Sequence, residues 1–141
     1  MQLFKILLIS VIVISCTHQH TTTSSLPAQH YITTSSGLKY TILQKGSGEK
    51  AKAGQEVLIF ETTSYPDGTV LYSNENSTNP VKVLIGGHQA TEAVDEGLRG
   101  MRVGEVRRII APPQLVKRTS YPSNVSPDSA LAIKIILHKI L

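Results

Sequence analysis

Cys16 is the only cysteine in the 141 residues, so an internal disulfide and a cysteine-built zinc site are both excluded. What a lone thiol there can do is carry a covalent group. Of the five histidines, three lie between Thr17 and Ser36. His18-x-His20 has the spacing of two metal ligands but no third ligand nearby, and we read these as solvated histidines of a linker. His88 and His138 fall where a surface or sheet-edge residue is expected. Asn76-Ser77-Thr78 and Asn124-Val125-Ser126 match the glycosylation sequon and are read as chance. No nucleophile–base pair and no phosphate-cradling loop stands out, so the chemistry, if any, is one that needs neither.

The residues around Cys16 say where it is delivered. Lys5 precedes the apolar run Ile6 to Ile14, which closes at Ser15-Cys16. That is the pattern of a secretory signal peptide, and it is shorter than the roughly 20 apolar residues a membrane span needs. Residues 1–15 are expected to be the signal peptide. The site resembles the lipobox of bacterial lipoproteins, although Val13-Ile14 stands where a leucine and a small residue are usual. The resemblance implies a diacylated Cys16 as the first mature residue; an ordinary signal peptide with an incidental cysteine is the alternative. Thr17 after the cysteine implies outer-membrane sorting, with the protein lipid-anchored in the bacterial envelope and facing the periplasm. Residues 16–36 are expected to be a flexible tether, because Thr17 to Ser36 holds no charge and ten of its twenty residues are Thr or Ser.

Composition then bounds the rest. Formal charge is +4, or +3 without Lys5, and the basic residues are scattered, which argues against a nucleic-acid partner. There is no Trp, with two Phe and five Tyr, so an aromatic-walled site is hard to build. Residues 37–141 suffice for one domain with a real core. Leu38 to Ile42 alternates as a strand, Gln44 to Glu49 reads as a polar turn, and Glu56 to Thr62 is a second strand, apolar on both faces in its middle. Pro66-Asp67-Gly68-Thr69 is a hairpin turn, followed by Val70 to Tyr72, an Asn/Ser-rich stretch to Asn79 and a strand from Val81 to Ile85. Ala90, Ala93, Val94 and Leu98 recur at helical spacing until Gly97 and Gly100 end the helix. Glu105 to Ala111 is a strand, Lys117 to Asp128 a loop, and Leu131 to His138 the last strand, with Leu131, Ile133, Ile135 and Leu137 on one face. The fold class is α+β: a mostly antiparallel sheet with one short helix on a face. Leu98 and Met101 are expected in the core, and Arg108 is expected to pair with an acid.

Several runs carry a family likeness. They are Gly37-Leu38-Lys39-Tyr40, Gly46-x-Gly48, Ala53-Gly54-Gln55-x-Val57, Asp67-Gly68-Thr69-Val70 and the stretch from Asp95 to Glu105 through Gly97-Leu98-x-Gly100-Met101. With Arg107 to Leu115 they resemble FKBP-type peptidyl-prolyl cis-trans isomerases, in the bacterial lipoprotein form, over residues 37–141. The resemblance implies an FKBP-like sheet wrapped around one short α-helix and catalysis of X–Pro rotation. Proline-containing peptides or proteins would be the clients, and no cofactor or metal is implied. The family builds its site from aromatic rings, a tryptophan floor, phenol hydroxyls and an aspartate. Carried over by position, the site falls on Glu61, Leu71, Tyr72, Val81, Gln89, Ala90, Thr91, Val94, Lys117 and Ile133. Val94 stands for the tryptophan, Glu61 and Lys117 for phenols, and Leu71, Val81 and Ile133 keep the site apolar; Tyr121 is an aromatic within expected reach. No catalytic residue is assigned. Two functions stay open: a weak isomerase assisting folding of exported proteins, and a non-catalytic peptide- or partner-binding module of an envelope complex.

Overall fold

The computed structural model describes residues 29–141. Cys16, the expected signal peptide and the expected tether up to residue 28 lie outside them. The chain order is β1 (Ile32–Thr33), β2 (Lys39–Gln44), β3 (Ser47–Lys50), β4 (Glu56–Ser64), β5 (Val70–Ser73), β6 (Val81–Leu84), α1 (Glu92–Leu98), β7 (Arg102–Val103), β8 (Val106–Ala111) and β9 (Leu131–Ile140). A short 3₁₀ turn, Pro113–Leu115, follows β8.

Among the described residues seven strands form one sheet in the order β1-β2-β8-β9-β4-β5, with β6 also on β4; all pairs are antiparallel. β9 is central because its alternation lets Leu131, Ile133, Ile135 and Leu137 point to one side, where each is at most 1% exposed. β4 is long enough to serve two short strands on one edge: its first half pairs β6 and its second half β5, while β9 lines its other edge. Its Val57 and Ile59 are buried and its Leu58 and Phe60 half-buried on the opposite face, as the doubly apolar run requires.

The sheet curves around α1, which lays Ala93, Val94, Gly97 and Leu98 into it. Gly97 lets the helix approach: a Cβ there would lie 3.1 Å from Cδ1 of Ile109 and 3.5 Å from Cδ1 of Ile135. Leu98 and Met101 are fully buried core residues, as expected.

Three expectations change. The folded part begins before Gly37: Ile32 pairs Tyr40 and Thr33 pairs Lys39, and the Thr34 amide donates to the Leu38 carbonyl at 2.8 Å. Residues 32–36 therefore belong to the domain rather than the tether, because backbone pairing to a sheet edge asks little of side-chain polarity. The stretch from Gln44 to Glu49 is not all turn; Ser47–Lys50 pairs β7, and Arg102 donates to the Gly48 carbonyl. Gly46 permits this, since a Cβ there would sit 2.5 Å from the Val103 carbonyl oxygen. The paired arginine is Arg107, not Arg108. The guanidinium of Arg107 meets Glu105 Oε1 at 2.6 Å and donates to the carbonyls of Gly97 (3.0 Å) and Arg99 (3.2 Å). Its Cζ also lies 4.7 Å from the centroid of the Tyr40 ring. Arg108 is one residue further along β8 and faces the other side, so alternation separates the two and the side of β8 that is buried takes Arg107.

Candidate functional site

Between the concave side of the sheet and the loop after β8 lies an open cavity of about 500 Å³. Its base is apolar. Ile59, Val83 and Val94 line it and are 1%, 4% and 6% exposed. Ile59 comes from β4, Val83 from its partner β6, and Val94 from the first turn of α1, so pairing and helix docking together set the floor. At the helix entry Gln89, Ala90 and Thr91 form one side of the wall and His88 its corner. Gln89 is held by its Oε1, which accepts from the Leu84 amide at 3.0 Å. His88 adopts φ of 56°, a left-handed conformation unusual for a residue with a Cβ. Thr91 is the N-cap of α1, yet its hydroxyl makes no capping bond, is buried, and has no partner among the described residues.

The opposite wall is charged. Glu61 extends the inward row of β4 after Val57 and Ile59, and Lys117 and Arg118 begin the loop after the 3₁₀ turn. The backbone at Glu61 is clasped by Asn74, whose Oδ1 accepts from the Glu61 amide at 2.7 Å and whose amide donates to the Glu61 carbonyl at 3.1 Å. Asn74 is itself only 9% exposed, which explains why an Asn/Ser-rich stretch is ordered beside the sheet. Burial pushes the Glu61 carboxyl above its ordinary value of 4.5, against the opposing pull of the Arg118 charge. No ion pair within 4.0 Å engages Glu61, Lys117 or Arg118 among the described residues.

A second cavity of about 270 Å³ shares Glu61, Thr63 and Arg118 with the first, so the two adjoin. Leu71 and Tyr72 line it together with Pro122, Val125 and Leu131. The loop that roofs it is pinned by Tyr65: the hydroxyl donates to the Asn124 carbonyl at 3.1 Å and accepts from the Ser126 amide at 2.9 Å.

The structure thus brings most of the sequence-derived positions together. Glu61, Val81, Gln89, Ala90, Thr91, Val94 and Lys117 line the larger cavity. Leu71 and Tyr72 line the smaller one. Ile133 lines neither; it is 1% exposed, between Thr63 and Ile109, beneath the site. Tyr121 does not line either cavity: its hydroxyl accepts from the Arg118 amide at 3.2 Å and is used within its own loop. Arg118, Thr63 and His88 line the site and Tyr65 pins its loop, none of which sequence reasoning assigned. The alternation of β4 was the available signal for Thr63; nothing in the sequence announces a loop residue such as Arg118.

What the arrangement can do follows from its contents. Among the described residues it offers no activated nucleophile and no paired acid and base. It offers an apolar base, polar groups at the helix entry, and a charged wall open to water.

Comparison with known proteins bears on the fold and the family. The family model described as FKBP-type peptidyl-prolyl cis-trans isomerase matches residues 47–138. The peptidyl-prolyl cis-trans isomerase FKBP10 of Bos taurus is 35% identical over 89 residues, which is 63% of this chain and 15% of that protein. FKBP14 of Homo sapiens is 32% identical over 108 residues, 73% of this chain and 51% of that protein. The chain therefore spans about half or less of the length of these curated relatives. Among solved structures, FkpA from Escherichia coli superimposes with a TM-score of 0.68 at 23% identity, covering 78% of this chain and 51% of that one. AtFKBP13 superimposes with a TM-score of 0.71 at 22% identity, covering 79% of this chain and 99% of that one. These two likenesses show a shared fold.

Proposed function

The chain belongs to the FKBP-type peptidyl-prolyl cis-trans isomerase family, and we propose that it is a weak member, turning over proline-containing segments of exported proteins from a lipid anchor at Cys16 in the bacterial envelope. The observation that carries the weakness is the charged, open wall of Glu61, Lys117 and Arg118 around the Val94 base.

Rotating an X–Pro bond means breaking amide resonance, a barrier of ~18–20 kcal/mol. No bond to the enzyme is needed. The twisted amide is less dipolar than the planar one, so a dry apolar pocket favours it relative to water, and fixed donors to the carbonyl add to that. Ile59, Val83 and Val94 supply an apolar seat for the proline ring. Glu61 and the two cations act against dryness, because an ion held without a partner keeps water with it rather than lose several kcal/mol of solvation. Water that solvates the planar amide removes much of the benefit of the seat. The envelope location rests on the Ser15-Cys16 closure of the apolar run alone.

The same charged wall supports a second reading, a peptide-binding module that grips a proline segment without turning it. One assay separates them. The purified protein and an intact family member are compared side by side on a standard proline peptide, and binding of that peptide is measured separately. We expect binding with turnover far below the homologue but above the uncatalysed rate. Turnover equal to the homologue overturns the weak reading; binding with no turnover makes the protein a binding module.

A further inference from the structure

The charges around the larger cavity do not balance. Glu61, Lys82, His88, Lys117 and Arg118 face it. Lys82 is committed to Glu56 at 2.9 Å on the rim. Arg118 lines both cavities together with Glu61, and among the described residues no ion pair joins them. That leaves Lys117, exposed at the start of the loop and engaged by no carboxylate among the described residues. Thr119 and Ser120 continue the same wall with two hydroxyls. Across from it the buried Thr91 hydroxyl has no partner among the described residues. The cavity is therefore a small apolar seat with surplus positive charge and hydroxyl donors on one wall.

We infer that this site selects proline segments in which an acidic residue stands next to the proline: the ring sits on Ile59, Val83 and Val94, and the neighbouring carboxylate meets Lys117 with the hydroxyls of Thr119 and Ser120. The inference rests on the proposed proline-peptide function and adds the substrate class. A peptide with a basic residue at the same place puts two cations together and loses contact with the wall. Glu61 stands on the β4 side and lines both cavities together with the oppositely charged Arg118, which leaves Lys117 as the surplus charge.

The test is a peptide series differing only in the residue before proline: Glu, its neutral isostere Gln, and Lys. The expected order of affinity for the full chain is Glu, then Gln, then Lys. An exposed ion pair contributes up to about 1 kcal/mol, so each step is expected to be about two- to fivefold. Raising salt to about 1 M, where charges are screened within about 3 Å, should collapse the series to one value. Lys117→Glu should invert the order, and Lys117→Gln should flatten its Glu–Gln step; both change an exposed side chain, and an unchanged unfolding midpoint verifies that the fold is intact. The salt series needs no variant and so decides the matter even if a variant fails to fold. Equal binding of the three peptides at low salt overturns the charge selection while leaving the proposed function standing. A preference that survives high salt overturns it too, since its origin is then not charge. Failure of all three peptides to bind overturns the proposed function, and this inference with it.

Discussion

Glu61 shows how one side chain can tie the site to the stability of the whole. It stands in the inward row of β4 after the apolar Val57 and Ile59, and the chain puts a carboxyl there. Burial holds that carboxyl above 4.5, so the folded protein binds its proton more tightly than the unfolded chain does. Stability from this group is then greatest at acid pH and falls as pH rises from the ordinary value through the raised one. Glu75 works the other way. Burial raises it, but hydrogen bonds from Lys134 and Thr62 and the Lys134 charge, 2.6 Å away, bring it below 4.5, so its contribution is lost as pH falls. We expect Glu61→Gln to stabilise the protein at about pH 7 and to make no difference at about pH 3.5, where both states of the wild type are protonated. Urea unfolding at the two pH values checks this. A gain that is the same at both would mean that packing rather than charge is responsible.

At the scale of elements, Arg107 fastens the exit of α1 to the sheet. Its guanidinium reaches the Gly97 and Arg99 carbonyls, which the end of a short helix leaves unpaired, while Glu105 neutralises it from the turn before β8. Glu105 in turn accepts from the Arg102 amide at 3.1 Å, so helix exit, β7 and β8 share one buried network. The two side chains are 8% and 5% exposed. Removing one partner leaves a buried charge, at a cost of about 3–5 kcal/mol. We expect Arg107→Leu to lose stability of that order in denaturant unfolding, and Arg108→Leu, on the half-exposed outer face, to change it by less than about 0.5 kcal/mol. Replacing both Glu105 and Arg107 by apolar residues should restore part of the loss. Similar effects of the two arginine substitutions would contradict the clamp.

At the scale of the molecule, activity depends on enclosure, which no single side chain supplies. Val94 lies in the floor, and Glu61 and Lys117 stand in the charged wall, contributed by α1, β4 and the loop after β8. A ring added at Val94 alone still faces a charged, wet wall. We expect Val94→Trp by itself to change turnover little, and the joint change Val94→Trp, Glu61→Tyr and Lys117→Tyr to raise kcat/KM on a proline peptide at least about tenfold, or about 1.4 kcal/mol of barrier. Steady-state kinetics on the single and triple variants decides it. If Val94→Trp alone gave the whole gain, the weakness would lie in the floor and not in the open wall.

The sequence by itself determined the longer elements and the family. Period-two alternation in β9, the doubly apolar middle of β4 and the Gly-Leu-x-Gly-Met run are local patterns, written in consecutive residues, and they were legible because local sterics and burial impose them. Family likeness also placed Glu61, Val94 and Lys117, which the fold brings to one cavity from three separate elements. Tertiary structure alone decided the rest. Ile133 was named for the site and lies under it, since which residue of a buried face reaches the surface depends on what packs above. Arg107 rather than Arg108 became the clamp because the sheet chose which side of β8 to bury. Ile32 and Thr33, polar in their surroundings and unremarkable in sequence, joined the sheet because an open edge of β2 offered hydrogen bonds. Asn74 clasps Glu61, and Arg118 stands beside it, through folding of loops whose composition says only that they are polar. Contacts between residues far apart in the chain depend on the summed geometry of the sheet, and no short stretch of sequence carries that information.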